Sequence, residues 1–131
     1  MKKRLGEGNR MAREDWIWMP HPAHFILGHR CAFRLATYVP SGYIVSTVGE
    51  LYYRDEGEAM QPLSGTGATY ETMVFKAEPS GIECCPYQVA DHSELDVLHY
   101  NSAGEARRGH IKTCLKYDSG IYKLRGKELY V

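Results

Sequence analysis

The sequence predicts an α+β fold: a small antiparallel sheet of three or four strands, with two C-terminal helices packed on one face and zinc clamping them to it. Three observations lead there. Residues 31–51 and 69–77 carry strand patterns, residues 103–117 repeat their apolar side chains at helical spacing, and four cysteines are distributed through a chain of 131 residues. A chain of that length suits one domain and can bury a core without disulfides as its main support.

The elements follow in order. Residues 1–15 are polar, contain Gly6 and Gly8, and have little to bury, so they read as a loose basic arm ahead of a single domain at 16–131. "WIWMPHPAHF" (16–25) is aromatic and interrupted by Pro20 and Pro22, which bias Met19 and His21 away from helix; it should run extended over the core. "CAFRLATYV" alternates Cys31, Phe33, Leu35, Thr37 and Val39 on one face, and "YIVSTVGEL" (43–51) follows "PSG", so the two form a β-hairpin. Residues 54–68, rich in glycine and acids, read as a mobile surface loop. "TYETMVFKA" (69–77) supplies a third strand. Ser93, with Asp96 three residues on, resembles a capping box and predicts a short helix. In "AGEARRGHIKTCLKY" (103–117), Ala103, Ala106, His110, Cys114 and Tyr117 fall on one stripe of a second helix, which Gly109 weakens modestly. The last stretch, from Ser119, alternates enough to be a strand or a tail.

Charge is balanced overall and uneven along the chain. Residues 1–45 carry seven Lys/Arg against three Asp/Glu, residues 46–105 two against eleven, and residues 106–131 seven against two. If the basic ends meet, Arg107, Arg108, Lys112, Lys116, Lys123, Arg125 and Lys127 would make a positive face able to steer an acidic partner; a solvated surface with ordinary scatter is the plainer alternative. No apolar run approaches the roughly 18 residues of a membrane span, and no h-region follows the basic N-terminus. These features, with the unpaired look of the cysteines, predict a soluble protein of a reducing compartment, the cytoplasm, with no membrane partner.

The cysteines carry the sharpest chemistry. Cys84 and Cys85 are neighbours, so their Cα atoms stand about 3.8 Å apart where a disulfide prefers about 5.5 Å, and an unstrained bond between them is excluded. His110 and Cys114, four apart, present an imidazole and a thiol on one helix face. With Cys31 and one or both of Cys84 and Cys85 they make a Cys₃His set of the kind that holds structural zinc. Two readings stand beside it. Unpaired cysteines are often simply buried, and a catalytic thiol is the third alternative. No C-x-x-C spacing is present.

His21 and His24 in "HPAH" are candidate acid/base groups, weighed against a surface turn. Glu50 and Glu71, on or near strands, are candidate carboxylates for hydrolysis, weighed against solvent-facing strand positions. No P-loop, dinucleotide fingerprint, H-E-x-x-H or G-x-S-x-G occurs. Trp16, Trp18 and the ten tyrosines read as core and rim residues rather than as stacking platforms for bases.

The strings "WIWMPHPAHF", "YIVSTVGE", "TYETMVF" and "GHIKTC", in this order, resemble a group of small phage-encoded proteins of uncharacterised function. The resemblance covers residues 16–117 and implies a phage or prophage origin and expression in a bacterial cytoplasm; it implies no activity. The expected function is a non-catalytic accessory or binding protein with a structural zinc site, contacting a host or phage protein, or nucleic acid, through Arg107, Arg108, Lys112 and Lys116. The alternative is a small hydrolase acting on a nucleotide or phosphodiester with His21, His24, Glu50 and Glu71.

Overall fold

The computed structural model describes residues 15–24, 30–52, 60–61 and 67–125, with the side chains of residues 52, 60, 61 and 119–125 left aside. The basic arm up to residue 14, most of the 54–68 loop and the last six residues lie outside the described residues.

Among the described residues the sheet is larger than expected and only one helix forms, which corrects the predicted three or four strands and two helices. Seven antiparallel strands, β1 (Ile17–Trp18), β2 (Cys31–Val39), β3 (Tyr43–Tyr52), β4 (Met60–Gln61), β5 (Tyr70–Pro79), β6 (Tyr87–Val89) and β7 (Asp96–Tyr100), precede a single helix α1 (Ala103–Arg125). The spatial order is β1-β2-β3-β5; β6 and β7 both pair with β5, and β4 adds to β3. The β2–β3 hairpin turns at Gly42, whose φ of 105° needs a residue without a Cβ, and whose N–H donates to the Val39 carbonyl at 2.9 Å.

The expected helix after Ser93 is a strand instead. Ser93 caps nothing: its N–H donates to Asp91 Oδ1 at 2.9 Å within a bend, and Asp96–Tyr100 then pairs along β5 from Val74 to Tyr70. Five residues cannot sustain an isolated helix, whereas the open edge of β5 offers each of them a ladder partner. The working cap lies at Ser102. Its Oγ accepts from the Glu105 N–H at 3.1 Å, while Glu105 Oε1 reaches back to the Asn101 N–H at 3.1 Å. From there the helix runs unbroken through Gly109 to Arg125, past the Tyr117 boundary the sequence pattern marks.

Both faces of the sheet are covered, which explains why residues 44–49 of β3 are buried without alternation. On the inner face Val39, Val45 and Val74 pack with Trp16 and with Cys114, Ile111, Leu115 and Tyr117 of α1. The Trp16 indole N–H donates to the buried Asp118 Oδ2 at 3.0 Å, tying the lead-in segment to the C-terminal half of the helix. On the outer face Ile44, Ser46, Glu71 and Phe75 are buried, and the Ala23 N–H donates to Ser46 Oγ at 2.9 Å, so the proline-rich segment crosses this side.

Two glycines mark close approaches. Gly49 lies opposite Tyr70, whose ring occupies the space a Cβ would need. Gly109 faces the Tyr100 phenol in the same way, so the residue that weakens α1 by propensity is the one that lets β7 pack against it.

Candidate functional site

The outer face holds a carboxylate between two imidazoles. Glu71 sits near the start of β5, directly opposite His99 of β7, and His99 Nε2 lies 2.9 Å from Glu71 Oε2. From the lead-in segment, His24 Nε2 comes within 3.2 Å of Glu71 Oε1, a close polar contact that is off the line of a well-directed hydrogen bond. His24 Nδ1 pairs with Ser46 Oγ at 2.8 Å. Glu71, His24 and Ser46 are all buried; only His99 reaches solvent, with about a third of its side chain exposed.

Burial alone would raise the Glu71 carboxyl, but the polar contacts and charge interactions with His24 and His99 outweigh it and hold the group below its ordinary range. The site is therefore an ionised, sequestered carboxylate that orients two imidazoles, one of them accessible. Such a group can position a base; its depressed pKa makes it a poor proton donor near neutral pH.

Beside this cluster is an open cavity of about 310 Å³ on the same face, lined by His21, Ala23, Ile44, Cys85, Tyr87 and His92 among others. Tyr87 stacks on Tyr38 with the ring centroids 3.6 Å apart.

The inner face holds His110, fully buried beneath the helix. Its Nε2 pairs with Thr37 Oγ1 at 2.8 Å and its Nδ1 with Thr47 Oγ1 at 2.7 Å, and Thr47 in turn meets Thr72 Oγ1 at 2.6 Å. Three strands thus supply one hydroxyl each to a nest around a neutral imidazole. Burial pushes the His110 pKa down to about 4.

The five residues expected to hold zinc are distributed as follows. Cys114 joins the helix–sheet core, where burial raises its thiol to about 12. Cys31 belongs to a separate cluster with Val48 and Leu51, and burial raises it to about 11. His110 has both ring nitrogens occupied by threonines. Cys84 and Cys85 stand at the β5–β6 turn, the first exposed and the second partly so. Among the described residues no three His, Cys, Asp or Glu side chains converge on a point that could hold a metal ion.

Of the four hydrolase candidates, the fold brings His24 and Glu71 together and leaves the other two apart. His21 lines the outer cavity. Glu50 adopts φ 58° where β3 leaves β5 to pair with β4, and its Oε2 accepts from the Tyr70 hydroxyl at 2.6 Å. Sequence reasoning missed His99 and Ser46. The signal for His99 was cross-strand pairing with Glu71, hidden while residues 96–100 were read as helix.

On the outer side of α1, Arg107, Arg108, Lys112 and Lys116 are all exposed. Arg108, Lys112 and Lys116 are four residues apart and form one row about 12 Å long. Lys116 Nζ reaches Asp96 Oδ2 at 3.1 Å, and the Arg107 guanidinium stands 5.9 Å from the Phe33 ring centroid. The side chains of Lys123, Arg125 and Lys127 lie outside the described residues. No helix among the described residues is long and apolar enough to cross a membrane.

No family model, curated protein or solved structure matches the chain.

Proposed function

We propose that the protein is a non-catalytic binding protein that docks the exposed face of α1 against an acidic surface of another protein. The observation that carries this is the row Arg108–Lys112–Lys116, flanked by Arg107, on a helix whose opposite side is fixed in the core through Ala106, His110 and Cys114. A rigid row of cations spaced by about 6 Å is suited to a patterned acidic surface. Protein is favoured over nucleic acid as the partner by the overall charge. A chain with formal net charge zero and eleven acids against two bases over residues 46–105 lacks the strongly basic footprint of a phosphate-binding domain.

The test is fluorescence anisotropy of a labelled glutamate-rich peptide and of DNA and RNA oligonucleotides, at low and moderate salt. The peptide should bind in a salt-sensitive manner, and Arg108→Glu with Lys112→Glu should abolish it while the melting curve stays in place. Binding that ignores this charge reversal, or none at low salt, removes the reading; tight oligonucleotide binding would replace protein with nucleic acid.

A second reading, a small hydrolase acting on a phosphodiester, is favoured by one observation, the accessible His99 held by the buried Glu71. In it His99 is the base and Glu71 its orienting partner, while His24, itself held by Ser46, backs Glu71. Hydrolysis of a phosphodiester panel that disappears with His99→Ala in a folded protein would establish it.

A further inference from the structure

The turn between β5 and β6 presents two thiols that neither the core nor the candidate sites use. The Ser80 N–H donates to the Pro86 carbonyl at 2.9 Å, the Cys85 N–H to the Ile82 carbonyl at 3.2 Å, and the Ile82 N–H to Ser80 Oγ at 3.0 Å. The Ser80 hydroxyl also donates to the Cys85 carbonyl, and Gly81 supplies the φ of 77° that lets the chain reverse. In a strand, neighbouring side chains point to opposite faces. Here the turn brings them to one side, and Cys84 Sγ and Cys85 Sγ lie 3.0 Å apart without being bonded. Cys84 is exposed, and Cys85 lines the outer cavity together with His21 and His92.

We propose that the Cys84–Cys85 pair is a chelating site for a thiophilic ion that bonds two sulfurs at a bent angle, such as zinc or a trivalent arsenical. Direct oxidation of the pair is opposed by the short Cα separation of neighbours. Inserting one ion removes that obstacle. With Zn–S bonds of about 2.3 Å and a tetrahedral angle, the sulfurs stand roughly 3.7 Å apart, a small side-chain rotation from the observed spacing. Trivalent arsenic, pyramidal with near-right angles between its bonds, needs less. Thiolates select soft ions of this kind over magnesium or calcium. For zinc, which takes four ligands, water fills the positions that the two sulfurs leave.

The chemistry balances without an oxidant. Zinc binding forms two Zn–S bonds and releases two protons. Phenylarsine oxide forms two As–S bonds and loses its oxygen with the two thiol protons as one water. Zinc takes the thiolate form, so capture by the pair strengthens as pH rises. Cys31 and Cys114 are buried and stand apart from this chemistry.

The experiment treats the intact, reduced chain with phenylarsine oxide and, separately, with zinc against a chromogenic chelator. Native mass spectrometry should show one arsenical per chain, peptide mapping should place it on Cys84 and Cys85, and a dithiol but not an equal concentration of monothiol should remove it. Cys84→Ser and Cys85→Ser should each lose stable retention while their melting curves match the parent, because the turn is exposed. Zinc bound at one equivalent and lost in both variants assigns the site to the metal as well; arsenical retention without zinc assigns it to the metalloid alone. The proposal fails if either serine variant retains the probe as firmly as the parent, if the label maps to other residues, or if neither ion binds stoichiometrically.

Discussion

Acidifying the protein from pH 7 to pH 5 should cost about 2 kcal/mol of stability through His110 alone. In the folded chain its pKa is lowered from 6.5 to about 4 by burial beneath α1. Below pH 6.5 the unfolded chain takes up a proton that the folded chain refuses, so stability falls as pH falls, and the loss continues until pH passes the folded pKa near 4. Each pH unit inside that window is worth about 1.4 kcal/mol, hence about 2 kcal/mol between pH 6.5 and 5. For a domain of this size that is roughly 6–10 °C of melting temperature. The depressed Glu71 carboxyl acts lower: its contribution is present above 4.5 and is lost as pH falls below that, beneath the range from pH 7 to 5. His110→Leu removes the titrating group. At pH 7 it should destabilise by about 1–3 kcal/mol, because Thr37 loses its imidazole partner. Between pH 7 and 5, however, its denaturation midpoint should drift about 2 kcal/mol less than that of the parent. Urea titrations at half-unit pH steps measure both. Parallel pH profiles for parent and variant would refute the buried neutral imidazole.

Other substitutions test other joints. Glu71→Gln keeps the shape but gives up the charge between His24 and His99, and should lower stability by about 1–3 kcal/mol at pH 7, read by chemical denaturation. Gly109→Ala gains about 1 kcal/mol of helix propensity, yet its Cβ would overlap the Tyr100 phenol, so a net loss of about 1–3 kcal/mol is expected; a raised melting temperature would show that β7 does not pack there. Arg108→Glu with Lys112→Glu touches only exposed side chains and should leave stability within about 0.5 kcal/mol, measured by the same melts.

The strands at 31–39, 43–51 and 70–77 were legible because alternation and β-branching there agree with the ladder the chain forms. What the sequence hid is what depends on partners. Residues 96–100 carry the weak helical signal of Ser93 and Asp96, and become a strand because β5 has an open edge at Val74–Tyr70. Tyr87–Val89 is too short to show a period and pairs only because the Ser80–Pro86 turn delivers it to the same edge. The stripe Ala106, His110 and Cys114 was correctly placed on the buried face of a helix, but His110 meets Thr37 and Thr47 from two strands, with Thr72 of a third behind Thr47, and local spacing could bring none of these together. His24 and Glu71 were both named from sequence as candidates; that they touch follows from segment 16–24 crossing the outer face, and His99 joins them through strand pairing alone.

The most direct test of docking through α1 is an amide NMR titration of the full chain with a glutamate-rich peptide at low salt. The account predicts shift changes concentrated at Arg107, Arg108, Lys112 and Lys116 and their helix neighbours, reversed by added salt. Changes centred instead on Glu71, His99 and the outer cavity, or no changes at all, would contradict it.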